Sequence, residues 1–479
     1  MSLLATLLSD ASHAEAAAHV VPAWITWFFT LVLAGMIACL ALEEKLHAKK
    51  SIIVGTFSGF CLIAATVITG WTGIELIPYG PVTLPNGHEM NIPAYIPAID
   101  WSVITVILGA SLFVEVTSRS GIFTWMAIKL TKQSGGDPFL LLIYYSVLTV
   151  LFSAVLNNVT AMIIIGSLTT VSLEKLHKKN LLLGFLLIEG LLTNVGGLLT
   201  LISSVPNIIV GKTAGISFAK FFLVAAPYVF VTTAATIMLG AYLFKIKRLQ
   251  QEEKDEASEL ISGFDENEEV SSQNFFRIAV GVLVLFIITL ASQPSLPWGL
   301  DQLGMGFIAL FYAGVMLLAY RHEVNKFYSA MDWDLLAFFA GLFVVINVME
   351  HALVLELIGK GIAAILKLPE MISIAALLGS SAIASAVTDN IPLAAMLAKI
   401  LSAPAMNQTP DSPFWWCVIF GANLGGNITP IGSASTVVAM TVIHRQKIPF
   451  SFVQFVVQAA PFAVMQIILA IIYVELFLR

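Results

Sequence analysis

Apolar runs of membrane-spanning length, broken by short polar stretches, make up most of this chain. They lie near 22–42, 52–70, 101–116, 139–173, 181–210, 221–244, 276–292, 303–320, 332–348, 371–402, 414–443 and 453–478. About 20 apolar residues in a helix cross a bilayer. The pattern predicts an all-α polytopic membrane protein of roughly a dozen spans. Several runs, such as 139–173 and 371–402, are too long and too broken for one simple helix. The segments 119–133 and 352–367 are shorter and charged, and read as interfacial or weakly spanning helices. Residues 1–20 have no basic residue before a short apolar run, and contain Asp10 and Glu15. They read as an amphipathic or loosely ordered lead-in rather than a signal peptide.

The polar interruptions occur twice. Residues 153–158 read Ser-Ala-Val-Leu-Asn-Asn and residues 385–390 read Ser-Ala-Val-Thr-Asp-Asn, 232 positions later. Asn194-Val195-Gly196-Gly197 and Asn423-Leu424-Gly425-Gly426 follow, 229 apart. The second match runs on through Thr200, Ile202 and Ser204 against Thr429, Ile431 and Ser433 at that same offset. Repetition of polar breaks inside apolar runs predicts a transporter built from two related halves.

Charge placement orients the halves. Basic residues stay on the cytoplasmic side. Lys45, Lys49 and Lys50 put the loop after the first span inside, whereas 71–99 has no Lys or Arg and reads as outside. Lys245, Lys247 and Arg248 return the chain inside, 293–302 lies outside, and Arg321 and Lys326 lie inside. Trp101 therefore enters from outside and its mate Trp333, 232 residues on, from inside. The expected organisation is a lead-in with two helices (1–98), a first repeat (99–244), an acidic cytoplasmic linker (245–275) and an inverted second repeat (276–479). The N-terminus is expected outside, in a plasma or inner membrane.

Composition agrees with that class. Of 479 residues, 58% are hydrophobic and 11% charged, against about 25% charged in a soluble domain. The net charge of −6 is local: 245–275 holds nine Asp or Glu and four Lys or Arg. Within it, 249–274 reads as a flexible tether with no helical apolar stripe. No basic tract suggests nucleic acid. Cys39, Cys61 and Cys417 lack metal-ligand spacing and read as small core residues. No His-Glu-x-x-His motif suggests an intramembrane enzyme.

The repeated breaks can carry ion chemistry. Irregular backbone at bilayer depth needs a protein or water lining. Asn157, Asn158 and Thr160, and Asp389 and Asn390 followed by Pro392, read as breaks in discontinuous helices. Oxygen-rich helix ends suit Na⁺, expected near Asn158, Gly197, Asn390 and Gly426, and half-helix N-termini suit an anion. Asn194, Gly196, Gly197, Thr200, Ser204 and Asn207, with Asn423, Gly425, Gly426, Thr429 and Ser433, supply the two loops of one central substrate or ion site. Asp389 is the expected coupling carboxylate, able to hold Na⁺ or a proton. Glu189, in an apolar run, serves either coupling or a structural hydrogen bond. Glu115, Glu350 and His351 read as solvated, and Lys399 as snorkelling to an interface.

The stretches Leu156–Thr160, Ile188-Glu189, Asn194–Gly197, Pro206-Asn207, Ser385–Pro392 and Gly425–Thr429 together resemble the ion transporter superfamily. The branch is that of ArsB arsenite permeases, NhaD sodium/proton antiporters and the melanosomal P protein, with its citrate-transporter-like domain. The resemblance implies paired re-entrant hairpins, alternating access, Na⁺ or H⁺ as the coupling ion with no other cofactor, and a homodimer. That branch often has Asp-Asn where this chain has Asn157-Asn158, and Gly-Asp-Pro-Pro-Asn where it has Ser203–Asn207. The neutral first half is similar to the sodium sites of sodium-coupled carboxylate transporters. Two readings follow: Na⁺/H⁺ antiport or inorganic-ion extrusion first, and Na⁺-coupled uptake of a di- or tricarboxylate or another oxyanion second.

Overall fold

The computed structural model describes residues 21–77, 82–83, 87–267, 270, 272–297 and 299–479. The lead-in expected over 1–20 lies outside them. Among the described residues the fold is all-helical apart from a two-residue ribbon pairing Val82–Thr83 with Glu89–Met90. Among the described residues, eleven helices are long and apolar enough to cross a membrane.

Seven helices of the first half have a counterpart in the second. The first set is α3 (Trp101–Ser118), α4 (Ile122–Gln133), α5 (Pro138–Val155), α6 (Asn158–Lys175), α7 (Leu182–Gly196), α8 (Val205–Thr213) and α9 (Phe218–Leu243). The second is α13 (Trp333–His351), α14 (Val354–Leu366), α15 (Glu370–Val387), α16 (Asn390–Ser402), α17 (Pro413–Gly425), α18 (Ala434–Arg445) and α19 (Phe452–Phe477). Ahead of them stand α1 (Ala23–Ala41) and α2 (Lys50–Thr72), and α11 (Gln273–Ser292) and α12 (Gly304–Ala319). Thus α11 and α12 stand before the second set as α1 and α2 stand before the first.

The same local chemistry shapes both sets. Asp100 accepts from Ser102 and Val103 N–H at the start of α3, and Asp332 accepts from Leu335 N–H at the start of α13. Side-chain acceptors satisfy N–H groups that a helix start leaves open. Trp101 and Trp333 each donate Nε1–H to the carbonyl five residues earlier, at 3.0 and 2.9 Å. Ser217 caps α9 and Ser451 caps α19, and each helix carries one internal proline, Pro227 and Pro461.

Two bodies result. In the frame, each leading helix packs on the other half: α12 on α3 and α2 on α13. Gly109 and Gly341, 232 apart, permit these approaches. A Cβ on Gly109 would lie 2.6 Å from the Ala309 carbonyl carbon, and one on Gly341 3.2 Å from Val54. The core body holds α5–α9 and α15–α19. The breaks expected in the long runs are present: the backbone leaves helical geometry at Leu156-Asn157 and Thr388-Asp389. Gly197–Ser204 and Gly426–Ser433 separate α7 from α8 and α17 from α18.

The linker departs from the expected tether. It forms α10 (Gln251–Ser262), docked on α4 and α6. Ala257, Ile261 and Phe264 make a thin stripe at helical spacing and are buried. Nine carboxylates hid that stripe in the sequence. Ala257 lies against Gly136, Lys175 sits 3.7 Å over the Phe264 ring, Leu249 N–H bonds Asp137, and Lys132 pairs with Glu266. These contacts define a linker face of the molecule. Asp100, Lys212, Glu350 and Lys399 mark the opposite face.

Candidate functional site

The two hairpin tips, Asn157-Asn158 and Asp389-Asn390, approach the Asn-Gly-Gly breaks from either side. Ser153 Oγ donates to Thr193 O and to Asn158 Oδ1, both at 2.6 Å. Its mate Ser385 donates to Ala422 O, also at 2.6 Å. Thr200 Oγ1 bonds Ala154 O at 2.5 Å, and Thr429 Oγ1 bonds Ala386 O at 2.6 Å. Each broken helix is thereby tied to the first arm of its own hairpin. Gly196 and Gly425 allow this: a Cβ would lie 2.7 Å from Val150 Cα in one and 2.6 Å from Ser385 Cβ in the other. Gly197 brings the backbone within 3.0 Å, at its would-be Cβ, of Asn158 Oδ1, and Gly426 lies against Ser433.

Four residues stitch the halves together in crossed fashion. Asn194 Nδ2 donates to Ser433 Oγ at 2.9 Å, while Ser204 Oγ donates to Asn423 Oδ1 at 2.7 Å. Asn194 and Ser204 are the mates of Asn423 and Ser433, so each half's asparagine meets the other half's serine. Asn427 and Asn207 extend the seam, bonding Asn194 at 2.8 Å and Asn423 at 2.9 Å. Asn207 also donates to Gly197 O and Thr200 O, and is fully buried. It acts here on the seam and the broken backbone, outside the cavity lining.

A cavity of about 390 Å³ lies against this seam. Asn157, Asn158 and Thr160 line it at the start of α6, Ser203–Pro206 at α8, Asn390 and Ile391 at α16, and Ser433–Ser435 at α18. The N-terminal turns of four helices therefore meet at one space. Each presents partial positive charge and backbone N–H groups. Asn157 caps Thr160 N–H at 2.8 Å and Ser433 caps Thr436 N–H at 3.3 Å. No Lys, Arg or His lines the cavity among the described residues. Glu115 and Asp332 stand at its linker-face side, the first paired with Arg119 at 3.1 Å.

Asp389 does not line this cavity. Its Oδ1 caps Ile391 N–H at 3.0 Å and its Oδ2 meets Lys50 Nζ at 2.5 Å. Glu189 is fully buried on α7, where Thr169 donates to it at 2.6 Å. Glu350 and Lys399, read as solvated and snorkelling, pair with each other at 3.0 Å.

A second cavity, about 380 Å³, is the counterpart of the first on the opposite face. Asp100, Ile346 and Asn347 line it where Asp332, Val114 and Glu115 line the first. None of the repeated Asn or Asp tip residues reaches it. Two ion pairs among its lining residues, Asp100–Lys212 at 2.5 Å and Glu350–Lys399 at 3.0 Å, join frame helices to core helices. Of these two cavities, the first touches the seam, at Asn194, Ser204 and Ser433, and the second does not.

Several contributors escaped the sequence reading. Ser153 and Ser385 open the repeated hexapeptides, and their identity at offset 232 was the available signal. Ser435 and Asn427 have no polar mate, so comparison of the halves could not single them out.

The model of the citrate transporter family matches residues 59–419. The chain belongs to that family. An uncharacterized transporter of Mycobacterium tuberculosis strain H37Rv is 30% identical over 382 residues, covering 79% of this chain and 86% of the relative. The human P protein is 24% identical over 89% of this chain, which spans 57% of the human protein. The fold is similar to the YdaH transporter of Alcanivorax borkumensis, with TM-score 0.60 and 13% identity over 90% of this chain and 98% of that one. MtrF of Neisseria gonorrhoeae gives TM-score 0.56 and 13% identity over 90% and 95%. This member of the citrate transporter family is a multi-pass membrane transporter.

Proposed function

We propose that this protein is a cation-coupled carrier of a small oxyanion or carboxylate. The observation that carries the reading is the convergence of four helix N-termini, with amide and hydroxyl side chains, on one cavity. An anion needs no lysine there, because backbone N–H groups and helix dipoles supply the positive field. The placement of Asp389 argues the same way. A carboxylate capped on one side and paired with Lys50 on the other is poorly placed to be the cavity's cation ligand. Na⁺/H⁺ antiport through Asp389 therefore becomes the second reading.

Na⁺ has a natural place on either side of the seam. Ser153, Asn158 and the Thr193 and Gly197 backbone gather oxygens in one half; Ser385, Asn390, the Ala422 carbonyl and Gly426 are their mates in the other. A cation there would lower the cost of holding an anion between them. Two separate cavities, one on each face, suit alternating access rather than a pore. The basic loops put the linker face in the cytoplasm, so the conformation is inward-facing.

Proteoliposome uptake tests this. Radiolabelled citrate, succinate, phosphate and arsenite are offered under imposed Na⁺ or pH gradients. The reading expects accumulation of one anion driven by a cation gradient. Movement of Na⁺ driven by ΔpH with no anion transported would establish antiport instead.

A further inference from the structure

Glu189 lies on α7, five residues before Asn194 and so about 7.5 Å along the helix axis from the seam. It does not line the cavity. Its side chain is fully buried, Oε1 accepts from Thr169 Oγ1 at 2.6 Å, and Oε2 has no hydrogen-bond partner among the described residues. A carboxyl kept only to tie α6 to α7 would be expected to use both oxygens. An ionised carboxylate buried without a counter-charge costs several kcal/mol.

Hydroxyls continue from this group toward the linker face. Ser172 follows Thr169 by three residues on the same side of α6. Ser172 Oγ lies 2.7 Å from Tyr145 Oη, which lies 2.6 Å from Thr131 Oγ1. Ser134 Oγ donates to Thr131 O at 2.6 Å. Thr169, Ser172, Tyr145 and Thr131 are fully buried and Ser134 nearly so. Ser134 stands at the end of α4, beside the Lys132–Glu266 contact with the linker. The second half has none of this: the mates of Thr131, Tyr145 and Glu189 are Ala363, Leu377 and Val418. A role in the shared scaffold would not leave the file in one half only.

We propose that Glu189 is a proton-binding site, separate from the cavity, served from the linker face through this file of hydroxyls. The proton arrives at Oε1, the oxygen that Thr169 Oγ1 bonds, while Oε2 stays free. Each hydroxyl passes its own proton onward as it accepts another, so the file is unchanged after each passage and the carboxyl gains or loses one proton. Two steps each require one bridging water: Thr169 to Ser172, and Ser134 to Thr131, because Ser134 Oγ bonds the Thr131 carbonyl and not its hydroxyl. Tyr145 is the titratable group in the file. The elements packed on α7 otherwise carry Tyr144 on α5, Glu174 and Lys175 on α6, Lys179 on the short helix Lys179–Leu181, Lys220, Tyr228 and Tyr242 on α9, Cys417 on α17, and His444 and Arg445 on α18. None of them hydrogen-bonds Glu189.

Infrared difference spectroscopy of the full-length protein across pH, with Glu189→Gln, tests the site. A protonated-carboxyl band that titrates in the parent protein and is missing in E189Q is expected. In proteoliposomes with a ΔpH and citrate as probe, E189Q is expected to lose pH-driven accumulation while keeping citrate exchange. Tyr145→Phe and Thr169→Val keep the packing volume and should slow the proton-linked step about tenfold. A band that persists in E189Q, or an unchanged pH profile in both Y145F and T169V, overturns the proposal. The band needs no transported substrate, so failure of the carrier reading and failure of this one are read separately.

Discussion

Lys50 Nζ lies 2.5 Å from Asp389 Oδ2, joining a frame helix to the tip of the second hairpin. In the proposed alternating-access cycle this pair would have to break or move. Asp389 also caps α16, so its two oxygens do different work. Lys50→Met leaves a largely buried carboxylate unpaired, and should lower stability by about 1–3 kcal/mol. Lys50→Met with Asp389→Asn should recover most of that loss. Thermal melts of the two variants check it; equal losses would show that the pair is not coupled.

The crossed seam predicts matched losses from opposite halves. Asn423→Ala removes the bonds that Ser204 Oγ and Asn207 Oδ1 make to its side chain, and Asn194→Ala removes those to Ser433 Oγ and Asn427 Oδ1. Each should cost about 1–3 kcal/mol. Denaturation of both variants should give losses of similar size, and a large disparity would contradict a shared seam.

Much of this arrangement was legible in the sequence. Repetition located the hairpin tips and helix breaks because polar residues at bilayer depth are costly and therefore sparse. The pairing of Asn194 with Ser433 was not legible, since offset alone does not say whether mates meet their own half or the other. The partner of Asp389 was not legible for a similar reason. That partner, Lys50, lies 339 positions away and was read only as an orientation signal. The linker stripe was lost because three apolar residues among many charges give a weak periodicity.

Glycine spacing gives a sharper contrast. A Cβ on Gly425 would meet the Ala382 carbonyl and Ser385 Cβ, whereas one on Gly379 of α15 meets nothing within 4 Å. Gly425→Ala should destabilise by about 1–3 kcal/mol, and Gly379→Ala should be neutral or stabilising by up to about 1 kcal/mol. Melting temperatures of the two single variants decide it.

Acid should weaken the latch of the second cavity. Burial alone would raise the Asp100 pKa, but hydrogen bonds from Lys212 and Ser102 outweigh it and hold the carboxyl below its usual range. A lowered folded value stabilises the folded state above the ordinary value of about 3.9. That contribution fades as pH falls through the folded value. Asp100→Asn should remove this part of the acid dependence, measured by cysteine accessibility in the second cavity as pH is lowered.

The most direct measurement is anion binding to the purified protein by calorimetry, with and without Na⁺, for the parent chain and for Asn158→Ala. The account predicts that one of citrate, succinate, phosphate or arsenite binds at a single site, more tightly with Na⁺, and that Asn158→Ala weakens this by tenfold or more, about 1.4 kcal/mol. Binding of Na⁺ alone that competes with protons at Asp389, with no anion bound under any condition, would contradict it.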